Sequence, residues 1–102
     1  MKILAYEQEL PGAQAEQFQR YAKEEARKTW QLHQEGLIRE LYFRADQEIA
    51  VLVLECASKD EASVILADLP FVREGLIAFD LIPLRAYPGF ERLFSIEDAS
   101  RA

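Results

Sequence analysis

Residues 37–56 constrain the fold most, because two apolar strand-forming segments flank a short polar turn there. Residues 37–44 and 49–56 are rich in β-branched and aromatic side chains, whereas residues 45–48 are Ala-Asp-Gln-Glu. This pattern predicts a β-hairpin. If the hairpin closes at the turn, the cross-strand pairs are Arg44 with Ile49, Tyr42 with Val51, Glu40 with Val53, and Ile38 with Glu55.

Both faces of the predicted hairpin are apolar. One face carries Ile38, Glu40, Tyr42, Arg44, Ile49, Val51, Val53 and Glu55, and the other carries Leu37, Arg39, Leu41, Phe43, Ala50, Leu52, Leu54 and Cys56. The second face is the more apolar, so we expect helices to cover it. The first would remain exposed unless a second copy of the chain packs its sheet against it. A monomer whose C-terminal tail folds back over its own sheet is the alternative.

The rest of the chain supplies two more strands and two helices. The predicted elements are a strand at residues 2–9, a helix at about 13–35, the hairpin, a helix from a Ser58–Glu61 capping box to about residue 69, and a strand at 76–87. This βαββαβ order predicts an α+β ferredoxin-like fold, with a four-stranded antiparallel sheet backed by two helices. We expect one domain at residues 1–90 and a tail at 91–102 that docks on the domain or on a neighbouring subunit.

Composition narrows the class of protein. The 102 residues are 50% apolar and 29% charged, which is typical of one globular domain, and the net charge of −6 argues against a nucleic-acid partner. No segment approaches the roughly 18 apolar residues of a membrane span, so we expect no membrane association and a cytoplasmic location. A single cysteine, Cys56, and a single histidine, His33, give no metal-ligand pattern, and we expect no cofactor. Cys56 lies in an apolar run and is expected in the core.

One face of the first predicted helix suggests a functional cleft. At about 100° per residue, Ala15, Phe18, Ala22, Thr29 and His33 share an inward face bordered by Glu25 and Ala26, and Arg20, Lys23, Arg27, Gln31 and Gln34 lie opposite. Arg39 is the one charged residue on the helix-facing side of the hairpin. We therefore expect Glu25, His33 and Arg39 to be catalytic, with Thr29, Arg39 and Trp30 contacting a substrate. His33 or Glu25 would move a proton, and Arg39 would hold an anion.

Structural roles compete with these functional ones. An imidazolium near a helix C-terminus interacts favourably with the helix dipole, and this alone would account for a histidine at position 33. Arg39 can pair with Glu25 or extend into solvent, and Trp30 can belong to a core or an interface.

Three stretches resemble the muconolactone isomerase-like family of the dimeric α/β-barrel superfamily. They are residues 34–41 (Gln-Glu-Gly-Leu-Ile-Arg-Glu-Leu), residues 51–62, from an apolar strand ending in Glu55 to Glu61-Ala62, and residues 66–71 (Leu-Ala-Asp-Leu-Pro-Phe) with the later Tyr87-Pro88. Tyr87 stands where the family has histidine.

The resemblance implies a ferredoxin-like protomer in an oligomer built from barrel dimers. It also implies an isomerase that shifts a proton in an unsaturated lactone or related acid. Two alternatives stay open: a non-catalytic oligomeric module that binds a ligand or a protein, and a cofactor-free monooxygenase, an activity that the superfamily also contains.

Overall fold

Strands and helices alternate along residues 1–94, the part of the chain that the computed structural model describes. The elements are β1 (Lys2–Glu9), α1 (Ala15–Gln34), β2 (Ile38–Phe43), β3 (Ala50–Glu55), α2 (Lys59–Ala67), α3 (Pro70–Arg73), β4 (Ile77–Leu84) and a 3₁₀ helix (Gly89–Phe94). The sheet order is β2-β3-β1-β4, and every neighbouring pair is antiparallel. This arrangement confirms the predicted α+β, ferredoxin-like fold. Within residues 1–94, no helix is both long and apolar enough to cross a bilayer.

The second predicted helix forms as α2, and a short helix that the sequence analysis did not predict, α3, follows it. Ser58 caps α2 as expected, because its Oγ accepts a hydrogen bond from the Glu61 amide at 3.1 Å. The helical run stops at Ala67, and Pro70 begins α3 at its first turn. Proline at that position lacks only an N–H that would have no helical partner, so it starts a helix as readily as it ends one.

The end of α1 is fixed by Gly36. Gly36 has a φ of 80°, and its amide donates to the His33 carbonyl while the Leu37 amide donates to the Leu32 carbonyl, both at 3.0 Å. These bonds form a Schellman cap, which sets the direction in which the chain leaves the helix. The α3 helix ends in the same way at Gly75, with a φ of 74°.

The core lies between the sheet and the α2–α3 pair. Its buried side chains are Ile3, Ala5, Ile38, Leu52, Leu54, Cys56, Ala62, Leu66 and Leu69, joined by Leu32. Cys56 is therefore a core residue, as predicted. Leu32 is the one fully buried residue of the 20-residue α1 helix. The prediction of a buried α1 face is wrong for Ala15 and Ala22, which are exposed, because α1 packs closely only near its ends. The five residues predicted opposite are exposed.

A β-bulge alters the predicted hairpin register at its open end. The pairs Tyr42–Val51 and Glu40–Val53 form as expected, and the Arg44 amide donates to the Ile49 carbonyl at 2.9 Å. Ile38, however, pairs with Leu54 rather than Glu55, with the register shift between Ile38 and Glu40. The extra residue turns Ile38 towards the helices, where it is fully buried.

The sheet face opposite the helices is apolar, as the sequence predicts. Leu4, Val51 and Val53 are half-buried there, while Tyr42 and Ile82 are 58% and 46% exposed. Several of its polar groups pair within the protomer: Arg44 bonds to Asp46 and to the Tyr6 hydroxyl, and Gln8 Nε2 donates to Asp80 at 2.8 Å. This surface, named the open face below, remains uncovered by any described element.

Apolar side chains after β4 are also exposed. Tyr87, Phe90, Leu93 and Phe94 each have more than two-thirds of their surface accessible. The predicted docking tail covers residues 91–102, of which 95–102 lie outside the described residues. A docking role for residues 91–94 stays a prediction.

Replacing Gly36 with alanine tests the cap of α1. No backbone atom obstructs a Cβ at this position, so the cost comes from the left-handed φ alone. We expect Gly36→Ala to lower the free energy of unfolding by about 1–2 kcal/mol in urea denaturation. Gln34→Ala, two residues earlier on the exposed helix surface, is the matched control and should change it by less than about 0.5 kcal/mol. Equal stability of the two variants would contradict the assigned cap.

Candidate active site

A cavity of about 660 Å³ lies between α1 and one end of the sheet. From α1 it is lined by Ala22, Glu25, Ala26, Thr29, Trp30 and His33. The sheet contributes Glu7, Leu41, Phe43, Ala50, Leu52, Ile77 and Phe79, and the segment around α3 contributes Leu69 and Phe71. The volume is in the range of natural small-molecule sites.

The cavity exists because α1 is held at its two ends. Near its N-terminus, the Phe18 ring packs edge-on against the Phe71 ring, with 5.1 Å between the ring centroids. The Tyr21 hydroxyl donates a hydrogen bond to Glu74 at 3.2 Å. Near its C-terminus, Leu32 enters the core. The middle of the helix therefore spans the sheet without packing closely on it.

Small side chains keep the space under the middle of α1 open. Ala22 and Ala26 line the cavity from the helix, and Ala50 lines it from β3. A leucine at any of these positions would add three carbon atoms to the cavity wall. The small side chains of these three alanines therefore help to keep the cavity open.

Glu25 is a half-buried carboxylate in the cavity wall. Its Oε1 accepts a hydrogen bond from the Phe71 amide at 2.9 Å, which fixes the side chain against α3. Burial raises the pKa of Glu25 above its ordinary value, and this backbone bond opposes the rise. The negative charge of Glu7 raises the pKa further, whereas Arg73 lowers it. The residue is thus a stronger base than an exposed glutamate.

Glu7 is a second cavity carboxylate, which sequence reasoning did not select. Its Oε1 accepts from the Ala50 amide at 3.3 Å. Burial raises its pKa, the Ala50 bond opposes this, and the charge of Glu9 adds to the rise. The signal was available in β1: Ile3, Ala5 and Glu7 alternate onto one face, and an acid on a core-facing row is uncommon.

His33 lines the cavity and has one ring nitrogen bound to the backbone. Its Nδ1 lies 2.8 Å from the Ile38 carbonyl oxygen. A carbonyl only accepts, so Nδ1 is assigned the proton and Nε2 of the neutral ring is an acceptor. The ring centroid is 5.9 Å from that of Trp30. The bulge at Ile38 therefore helps to orient the imidazole.

The structure brings together four of the five predicted site residues. Glu25, Thr29, Trp30 and His33 all line the cavity. Arg39 does not: it is exposed, and its Nε donates to the Gly36 carbonyl at 2.6 Å. The predicted placement of a guanidinium in the cleft is therefore wrong, because the β-bulge that buries Ile38 moves Arg39 out of the helix-facing row.

The ionisable groups of the cavity are mainly acidic. No lysine or arginine is among the lining residues of the described chain. Within residues 1–94, no three histidine, cysteine, aspartate or glutamate side chains are grouped so that they could hold a metal ion. Two carboxylates and one imidazole in an apolar cavity can accept and donate protons.

Known proteins that resemble this chain have a fold consistent with the one described above. The family model for muconolactone delta-isomerase matches residues 5–89, most of the chain. The chain belongs to the muconolactone delta-isomerase family. The matched range includes all the residues that line the cavity.

A solved structure resembles this member of the muconolactone delta-isomerase family. It is the 5-chloro-2-hydroxyhydroquinone dehydrochlorinase of Burkholderia phenoliruptrix AC1100, in complex with 2,5-dihydroxybenzoquinone. The TM-score is 0.60 at 20% identity, over 87% of this chain and 98% of that one. At this identity the likeness concerns the fold. No curated protein sequence matches the chain significantly.

The coupling between the two cavity carboxylates can be measured. Glu7→Gln removes a negative charge that raises the pKa of Glu25, so we expect that pKa to fall in a carbon-detected NMR titration of the glutamate carboxyl groups. Glu9→Gln is the matched control: it should lower the pKa of Glu7 and leave that of Glu25 unchanged. An unaltered Glu25 titration in the Glu7 variant would show that the two groups do not interact.

Proposed function

We propose that this protein catalyses a proton shift in a small unsaturated ring compound bound under α1. The observation that carries the proposal is the cavity itself, which holds Glu7, Glu25 and His33 together in apolar surroundings. Carboxylates with raised pKa values in such a site suit general acid–base catalysis near neutral pH. Membership of the family supports conversion of a small molecule.

Glu25 is the proposed base. In an α,β-unsaturated lactone the γ-carbon proton is acidic, because the carbanion left behind is delocalised onto the carbonyl as a dienolate. Glu25 accepts that proton and returns it to the α carbon, which completes the shift of the double bond from the α,β to the β,γ position and regenerates the base. No bond to oxygen breaks and no oxidant is needed. The raised pKa of Glu25 makes it a better base than a solvated carboxylate.

Glu7 and His33 assist the proton transfer from other sides of the cavity. Glu7 Oε1 accepts from the Ala50 amide, which leaves Oε2 to exchange a proton with the ring during the step. Different environments for two carboxyl groups allow one to act as acid while the other acts as base. His33, whose Nδ1 is bound to the Ile38 carbonyl, offers Nε2 as a second proton acceptor.

The structural neighbour supports the same type of chemistry. Its name describes the removal of hydrogen chloride from a chlorinated hydroxyhydroquinone. Loss of hydrogen chloride and migration of a double bond share one requirement, which is the transfer of a proton to or from an oxygenated, unsaturated ring. The cavity groups described above meet that requirement.

A non-catalytic ligand-binding module is the second candidate. It is favoured by the position of Arg39, which was expected to clamp an anion but bonds to the Gly36 carbonyl outside the cavity. Binding without turnover of any candidate lactone would support it.

Glu25→Gln tests the proposed base. The variant keeps a side-chain oxygen for the Phe71 amide but cannot take up a proton, so we expect lactone isomerisation to fall by about 10²–10⁴-fold with the fold unchanged by circular dichroism. Glu24→Gln, on the neighbouring exposed position, should retain wild-type turnover. Arg39→Ala should also stay within about twofold, because the side chain lies outside the cavity. Wild-type turnover in Glu25→Gln would exclude Glu25 as the base.

We also propose that two copies pair through the open face. The apolar side chains of this face have no cover within the described protomer, and exposed apolar patches of this kind mark association sites. The resemblance to the muconolactone isomerase-like family also implies an oligomer built from barrel dimers.

Ile82→Asp tests this pairing. The carboxylate would lie among apolar side chains of the open face and oppose burial, so we expect light scattering at micromolar concentration to move towards the 11.7 kDa protomer. Val64→Asp, at a 72% exposed position of α2, should leave the particle mass unchanged. A wild-type protein that scatters as a single protomer would refute the proposed pairing.

A further inference from the structure

The ionisable groups that line the cavity favour some ligand charges over others. Glu7 and Glu25 both line it, and no lysine or arginine of the described chain does so. An anionic ligand would therefore lie beside two acids without a counter-ion from residues 1–94 of the same protomer. Such a pairing of like charges is unfavourable, most of all in an apolar space.

Three arginines close in sequence to cavity residues have partners outside the cavity. Arg39 donates to the Gly36 carbonyl, and Arg73 pairs with Glu24 at 3.8 Å and with Glu74 at 3.4 Å. Arg44 is held on the open face by Asp46. Recruiting one of these guanidinium groups would require breaking its present contacts.

Aromatic side chains form much of the cavity wall. Phe71 and Phe79 lie deeper, while Trp30 and Phe43, at the rim, are 60% and 69% exposed. Aromatic walls favour a planar, polarisable ring over a flexible aliphatic chain. The exposed rim aromatics show that this surface is available to an incoming ring.

The polar atoms of the cavity complement hydroxyl and carbonyl groups. Each glutamate uses Oε1 for a backbone amide, which leaves Oε2 for a ligand. A carboxylate oxygen accepts from a hydroxyl, and a protonated carboxyl donates to a carbonyl. A neutral ring with these groups can satisfy the cavity without bringing in another charge.

We infer that the ligand is an uncharged, unsaturated ring bearing a carbonyl or hydroxyl group, and that the cavity discriminates against the same ring bearing a carboxylate. This inference rests on the proposed function and specifies its substrate class. The inference predicts that muconolactone itself is not the preferred ligand of this protein, because the acetate side chain of muconolactone is ionised at neutral pH.

A matched ligand pair tests the inference directly. Muconolactone and its methyl ester share the ring and differ in one negative charge. Trp30 is the one tryptophan of the sequence and lines the cavity, so its fluorescence reports binding in the full-length, assembled protein. At pH 7 we expect the ester to bind at least about tenfold more tightly than the acid. Equal or tighter binding of the acid would overturn the inference.

A charge-removing variant distinguishes electrostatic discrimination from a steric one. Glu7→Gln should tighten binding of the acid relative to the ester by roughly threefold or more, since the changed hydrogen bond affects both compounds and the lost charge affects only the acid. Glu24→Gln, outside the cavity, should alter neither. An unchanged ratio of the two affinities in Glu7→Gln would show that cavity charge does not select the ligand.

Turnover of the two compounds separates this inference from the proposed function. If the ester binds preferentially but its double bond does not migrate, the substrate-charge inference holds and the proposed isomerisation fails. If the acid is preferred and isomerised, the isomerisation holds and the inference fails. Absence of binding by both compounds at millimolar concentration would refute both.

Discussion

The site depends on the way α1 is supported over the sheet. Phe18 packs against Phe71 at one end and Leu32 enters the core at the other, while the alanines between them are too small to reach the sheet. A fully packed interior would stabilise the domain more, because unfilled space forfeits dispersion contacts. The protein retains a cavity of about 660 Å³ instead, and α2 and α3 supply most of the buried helical contacts.

Backbone geometry and cavity chemistry are closely connected. The Schellman cap at Gly36 ends α1 immediately after His33, and the bulge that follows gives the imidazole a carbonyl partner at Ile38. The amide of Phe71, in α3, orients Glu25. Backbone groups thus hold the ionisable side chains in place, so that their remaining atoms are available to a ligand.

The two faces of the sheet serve different purposes. The helix-facing side provides a core beneath α2 and α3 and a cavity beneath α1. The open face is apolar, and some of its charged groups pair within the protomer, as Arg44 does with Asp46. An apolar surface on which charges are paired is suited to contact with another protein surface, since each paired charge adds less desolvation cost than an unpaired one.

Local patterns in the sequence determined the order of the elements, the four-stranded sheet, the Gly36 stop of α1, and the grouping of Glu25, Thr29, Trp30 and His33 on one helix face. These features depend on residues close together in the chain, through periodicity and capping. Only the tertiary structure decided that Ile38 enters the core and displaces Arg39, that α1 leaves a cavity, and that Glu7 faces the same space as Glu25. Those outcomes depend on how side chains from distant elements fill a shared volume, which no single segment specifies.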